Sequence, residues 1–299
     1  MQILSPSSKN SYADMGEIAT PFMRAGWRSL VAADLLRKAL HRTRPYETTP
    51  GAADKMYQES VADLCATIEQ GCSDTKCQLQ AIVESMTRAR TRFRRVVAQY
   101  DGDVPLIGVV GEIFCRLNTF TNDDLIRKLE GYGAEAWLSD IAEWIQYTNA
   151  EQLRKLKLLG RYWTLDMLKA RLRWHVQESD EHAIVAPFAE DFAGYAEPDI
   201  YTVFECAMPY LPNTGVLGEM VLSVGKAAYL ARHGADGIID ISPFTCMNGI
   251  VSEAVYPKLS KDLSGIPIRN FYFDGTQSDL DRDLGVYMEL ARSYQKKRG

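Results

Sequence analysis

What this sequence lacks closes off several functions before any motif is considered. No apolar run reaches the length that crosses a bilayer. The chain opens Met-Gln-Ile-Leu-Ser-Pro, without the basic, apolar and small-residue succession of a secretory leader. Positive charge is not in excess: 34 Lys and Arg stand against 39 Asp and Glu, a net charge of −5. A nucleic-acid surface needs the opposite balance, so neither nucleic acid nor membrane is an expected partner. Histidine is scarce, with four in the chain and none at ligand spacing from another. The six cysteines (Cys65, Cys72, Cys77, Cys115, Cys206 and Cys246) contain no Cys-x-x-Cys and are too sparse for a disulfide scaffold. A reducing cytoplasm is therefore the expected setting. A phosphate loop, a catalytic triad, a zinc motif and internal repeats are missing as well.

What remains is enough to build a full core. Hydrophobic residues make up 46% of the 299 residues, which excludes wholesale disorder. Residues 1–6 read as a strand that starts abruptly, which suggests a domain beginning upstream or a piece of a larger protein. Helical periodicity runs over 20–42, 53–70 and 77–100, broken at Arg44-Pro-Tyr-Glu-Thr-Thr-Pro-Gly. The basic run Arg88 to Arg95 continues the third helix and reads as its solvated face. Leu106-Ile-Gly-Val-Val-Gly-Glu-Ile-Phe is too continuous in apolar character for a half-buried strand, so a fully buried one is expected. A helix opening at Asn122-Asp-Asp, a strand at Ala134–Leu138 and another helix follow. This alternation predicts an α/β fold with Rossmann-like parallel-sheet lobes and added helices. Residues 150–177 are helical, 188–212 loop-like, and 218–233 helical. Strands at 238–241 and 268–273 each precede a helix. A helical and α/β lobe over 1–149 and a second α/β lobe over 150–299, with a cleft between them, is the expected division.

The most informative stretch is Gly237-Ile-Ile-Asp-Ile-Ser-Pro-Phe-Thr-Cys246-Met-Asn-Gly. An apolar run ends in Ser-Pro, a thiol follows on the turn, and a helix begins. Open α/β sheets bind ligands at the carboxyl ends of their strands. Cys206, in Phe204-Glu-Cys-Ala-Met-Pro-Tyr210, reads as a second turn cysteine. Two thiols on two such turns make half of a metal-cluster site.

Several strings then coincide in order: Ser5-Pro with Asn10-Ser-Tyr12, Arg44-Pro-Tyr-Glu47, Pro105-Leu-Ile-Gly-Val-Val-Gly-Glu-Ile-Phe114, Asn122-Asp, Phe204-Glu-Cys206 with Pro209-Tyr210, and Asp236-Gly with Ser242-Pro-Phe-Thr-Cys-Met247. Together, over roughly residues 5–295, they resemble the dehydratase-like portion of the acyl-CoA dehydratase activase-related proteins. These belong to the 2-hydroxyacyl-CoA dehydratase superfamily, which includes the double-cubane cluster proteins. The resemblance implies Rossmann-like lobes around an iron–sulfur cluster, of [4Fe-4S] or double-cubane type, held by cysteines on strand-end loops. It implies an ATP-dependent activase as partner, a homo- or hetero-oligomer, and acyl-CoA or another small substrate reduced by single electrons. A dehydratase or an ATP-dependent reductase is the corresponding enzyme class. The family pattern assigns cluster ligation to Cys206 and Cys246.

One departure bears on that assignment. Relatives carry a further cluster cysteine in a Gly-Pro-Cys-Arg-type turn upstream of the segment matching Ser5-Pro, and this sequence starts after it. The alternative expectation is a cluster-free binding or regulatory lobe that docks an activase or partner subunit. Among the other residues, Glu112 at a strand end suits proton transfer or substrate orientation, or equally a helix cap. Arg116 and Asn118 suit an anionic ligand. Gly215 and Gly218 would let backbone N–H groups approach a cluster or phosphate. Cys115 reads as a buried structural thiol, and Cys65, Cys72 and Cys77 as ordinary packing or surface thiols. Ser223 and Lys226 read as polar-face residues of their helix, and Tyr46 and Tyr210 as packing.

Overall fold

A computed structural model of the chain describes residues 13–72, 74–100, 104–212, 218–275 and 279–298. The expected strand at 1–6, the strings Ser5-Pro and Asn10–Tyr12, and Gly215 lie outside them. Three helices come first: α1 (Ala19–Thr43), α2 (Ala52–Glu69) and α3 (Thr75–Phe93). Their apolar stripes close on one another, with Trp27, Leu35, Leu36, Leu64, Ile82, Met86 and Phe93 in one buried cluster.

The α/β part follows as β1 (Leu106–Gly111), α4 (Ile113–Leu117), α5 (Leu125–Gly131), β2 (Glu135–Leu138), α6 (Ala142–Leu158), α7 (Leu165–Val185), α8 (Ile200–Ala207), α9 (Glu219–Arg232), β3 (Gly237–Pro243), α10 (Met247–Asp262), β4 (Ile268–Phe273) and α11 (Leu280–Arg298). The strands form one parallel sheet in the order β2-β1-β3-β4. The α/β expectation therefore holds. Strands from 1–149 and from 150–299 are joined in this single sheet, where β1 pairs with β3 from Ile107↔Gly237 to Gly111↔Ile241.

The pleat explains why β1 is apolar throughout. Leu106 and Val110 face α8, α9 and α10, while Ile107 and Val109 face α5 and α11. Both faces are covered, so neither set can be polar. The apolar run continues to Phe114, but the strand stops at Gly111. There the backbone turns to φ 121°, and Glu112 caps the short α4.

Residues 188–212, expected as loop, contain α8. Asp199 caps it by accepting from the Tyr201 and Thr202 amides. Its eight residues lie between Pro198 and Pro209, too few to display a helical period.

The Arg44-Pro-Tyr-Glu motif clasps the helical part to the sheet. Arg44 is bidentate to Glu130 and also reaches Asp54. The Tyr46 hydroxyl donates to Glu135 at 2.6 Å. The Glu47 carboxylate accepts from the amides of Gly51 and Ala53 at the start of α2. Among the described residues no helix is long and apolar enough to cross a membrane.

Candidate functional site

The carboxyl ends of β1 and β3 carry the chemistry-bearing residues. The β1 end is built by two carboxylates. Glu112 accepts from the Cys115 amide at 2.8 Å, and Glu219, in the first turn of α9, accepts from the Ile113 amide at 3.0 Å. The capping role of Glu112 is therefore occupied in this geometry. Burial raises the Glu219 carboxyl above its usual range. Arg116 points inward, fully buried, and donates to the Ser139 carbonyl and the Glu143 carboxylate. It is committed to that carboxylate rather than presented to an anionic ligand. The Asn118 side chain accepts from the Thr121 amide. Asn122 donates to the Cys115 carbonyl and accepts from Leu125 as α5 begins.

The β3 end is built around Asp240. It stands among the isoleucines of β3, and its carboxylate accepts from the Tyr256 hydroxyl at 2.5 Å and from Ser242 of the same strand at 3.4 Å. Burial pushes the Asp240 carboxyl up to about 7, with those hydrogen bonds pulling the other way. Cys246 follows on the turn as N-cap residue of α10, half-buried, as the sequence placed it. Phe244, Met247 and Ile250 around it are exposed, and so are Phe114, Leu117 and Phe120 on the turn leaving β1. The carboxyl edge is thus one thiol rimmed by uncovered apolar side chains. Cys115 lies close enough for Cys246 to act on its titration. Burial, with the Glu112 charge next, pushes the Cys115 thiol up to about 12, so it stays protonated at neutral pH.

Cys206 is elsewhere. It sits in the last turn of α8, buried, in the same cluster as Leu211, Val221 and Tyr229, and Arg232 donates to its sulfur at 3.3 Å. Burial raises its thiol, and the Arg232 charge only partly offsets that. The helix α9 measures the separation. Its start, Gly218, lies against Asn248, two residues past Cys246. Its middle, Gly225, lies against Val203, and its last residue, Arg232, reaches Cys206. From Gly218 to Tyr229, beside which Cys206 packs, is roughly 16 Å along the axis at 1.5 Å per residue. The structure does not bring Cys206 and Cys246 together, because α8 runs alongside α9 in the same direction and carries its cysteine to the far end of that helix, on the amino-terminal side of the sheet. Among the described residues, no group of three or more His, Cys, Asp or Glu side chains is arranged to hold a metal ion. As a ligand set for one cluster, these two cysteines do not fit.

Gly218 is at the site, with φ 111°, and a Cβ there would stand 2.8 Å from the Asn248 side-chain oxygen. Its amide is already spent on the Tyr147 hydroxyl at 2.7 Å. Tyr210 lies on the other side, under Lys258.

The sequence reading missed a charged network beneath the β2 end. Lys226, 1% exposed, pairs with Glu197 and stands 3.5 Å from Glu143, which also receives Arg116. Lys38 and the Trp137 indole donate to the other Glu197 oxygen. Lys226 is therefore a core residue, not the polar-face residue expected. Its signal was the apolar company it keeps in Met220-Val-Leu-Ser-Val-Gly-Lys-Ala-Ala. A groove of about 980 Å³ lies beside the edge strand β4, between α10 and α11, and Cys246 is not among its lining residues.

Comparison with protein-family models, with curated proteins and with solved structures finds no match. The class defined by fold is α/β, a parallel sheet covered on both faces. The resemblance to the 2-hydroxyacyl-CoA dehydratase superfamily rests on the sequence strings alone.

Proposed function

We propose that this chain is a lobe of a 2-hydroxyacyl-CoA dehydratase-like system that docks a partner polypeptide, an activase or a second subunit, through the carboxyl edge of its sheet. The observation that carries this reading is the edge itself. Cys246 stands at the end of β3 with exposed Phe244, Met247 and Ile250 beside it in the turn and first turn of α10, and the other candidate thiol is buried at the far end of α9. Apolar side chains grouped on one edge favour a covering surface. In this reading the chain alone does not assemble a cluster, and Cys206 is a core residue.

A second reading is supported by the placement of Cys246 at the amino end of the 16-residue α10, on the carboxyl edge of the sheet where open α/β folds bind ligands. Here Cys246 is the one ligand that the chain lends to an iron–sulfur centre completed by another polypeptide. The assembly would be a cytoplasmic dehydratase or reductase acting on an acyl-CoA or another small substrate.

Anaerobic reconstitution tests both. The isolated chain, treated with ferrous iron and sulfide, is expected to remain colourless and free of stoichiometric iron. A cluster on the isolated chain that is lost in both Cys206→Ala and Cys246→Ala overturns the docking reading. Co-expression with an activase and a dehydratase subunit is expected to yield a stable complex, disrupted by Phe244→Asp together with Met247→Asp. Failure to associate with either protein sinks the reading as well. Iron retained in that complex, lost in Cys246→Ala and unchanged in Cys206→Ala or Cys72→Ala, is the result the second reading requires.

A further inference from the structure

The hairpin of α6 and α7 carries apolar side chains that no other described element covers. Its inner face is closed: Leu153 and Leu156 of α6 pack on Met167 and Ala170 of α7, a small cluster drawn from these two helices, with Trp174 against it. This end of the hairpin thus projects beyond the larger cores. Its turn is firmly built. Gly160, at φ 69°, reverses the chain, and the Arg161 amide donates back to the Leu156 carbonyl at 2.9 Å. The Thr164 hydroxyl caps α7 by accepting from the Met167 amide. Leu158, Leu159, Tyr162 and Trp163 are held outward by this turn, each more than half exposed and Trp163 97% exposed. Leu165, Leu168 and Leu172 are uncovered as well and continue the patch along α7, on the stripe opposite Met167 and Ala170.

Positive charge is gathered on the same end. Residues 154–173 hold seven Lys and Arg and one Asp, in a chain whose net charge is −5. The acidic total, on which a membrane partner was not expected, conceals this segregation. Arg154 pairs with Glu151, and Arg161 stands 3.9 Å from Asp166. Lys155, Lys157, Lys169, Arg171 and Arg173 are exposed and form no ion pair among the described residues. At 3.6 residues per turn, Lys169 and Arg173 border the leucine stripe of α7 on one side and Arg171 borders it on the other.

We propose that the α6–α7 hairpin docks on an anionic lipid surface, lying in the interface without crossing it. The chemistry selects this occupant over three others. A second copy would set two such basic ends against each other. A nucleic acid would satisfy the cations and leave five uncovered leucines in water. A groove on an acidic protein takes one stripe of one helix, whereas here apolar side chains wrap the end of the hairpin from α6 through the turn to α7. Acyl chains accept leucine from any direction, Tyr162 and Trp163 suit the headgroup boundary, and the flanking cations meet lipid phosphates.

Flotation of the full chain with vesicles tests this. It is expected to rise with vesicles of phosphatidylcholine and phosphatidylglycerol, and to stay behind with phosphatidylcholine alone. Trp163→Ser with Leu168→Ser, both at exposed positions, is expected to weaken binding to the anionic vesicles by about tenfold or more. Lys169→Glu with Arg173→Glu is expected to do the same. Val286→Ser with Leu290→Ser, exposed apolar positions on α11, is expected to leave binding unchanged. A chain that does not float with anionic vesicles at low salt overturns the proposal. So does equal binding to neutral vesicles, or binding that survives both pairs of hairpin substitutions. In a chain that ignores vesicles, self-association abolished by Trp163→Ser with Leu168→Ser assigns the face to a second copy instead.

Discussion

Asp240 is a carboxylic acid buried between Ile239 and Ile241 in β3, and its position sets a pH dependence. Its usual value is 3.8, and in the folded chain it is pushed up to about 7. Below pH 4 both folded and unfolded chains hold the proton, and burial costs no ionisation. Between pH 4 and 7 the unfolded chain releases the proton while the folded chain keeps it, so stability falls as pH rises and levels off above 7. Asp240→Asn keeps an acceptor for Tyr256 but does not titrate. Relative to wild type it is expected to gain up to about 4 kcal/mol between pH 4 and 7, read from urea midpoints at each pH. A difference that is flat across that range contradicts the assignment. The residue scale is also where the two candidate cysteines separate. Cys246 was legible, because Ser-Pro after an apolar run marks a strand end. Cys206 was not, because its apparent turn is the last turn of a short helix.

At the scale of elements, α8 and α9 decide the position of Cys206, and a glycine decides how closely they pack. A Cβ at Gly225 would stand 2.2 Å from the Val203 carbonyl oxygen, a backbone atom that cannot rotate away. Gly225→Ala is expected to destabilise the fold by about 2–3 kcal/mol through overpacking, despite the better helix propensity of alanine. Equilibrium denaturation checks this, and an unchanged or raised midpoint contradicts the close approach. The strands β1 and β3 were legible as continuous apolar runs, and α1, α2 and α3 as amphipathic repeats. The break at Gly111 was not, since Ile113 and Phe114 continue the apolar character while the backbone has already turned.

At the scale of the whole molecule, Lys226 ties the helical part to the sheet. It lies on α9, Glu143 on α6, Lys38 on α1, and Glu197 joins them from the segment before α8. Burial works to raise the Glu197 carboxyl, yet the Lys226 and Lys38 ammonium groups hold it below the usual carboxylate range. Burial alone would lower Lys226, but Glu197 and Glu143 keep it above its usual value. Lys226→Met removes the cation shared by the two buried carboxylates and leaves Glu197 to Lys38 and Glu143 to Arg116 alone. It is expected to cost about 3 kcal/mol, and the joint Lys226→Met, Glu197→Gln variant should recover a large part of that. A single variant as stable as wild type refutes the network's role. The sequence by itself determined the α/β class, the buried central strands and the placement of Cys246, because these follow from local runs and turns. Only the tertiary structure decided that one sheet unites both halves, that Arg44, Tyr46 and Glu47 clasp helices to strands, and that Cys206 lies far from Cys246. Each depends on how helices pack against the sheet, and a side chain's position along the chain does not say at which end of a helix its neighbour will lie.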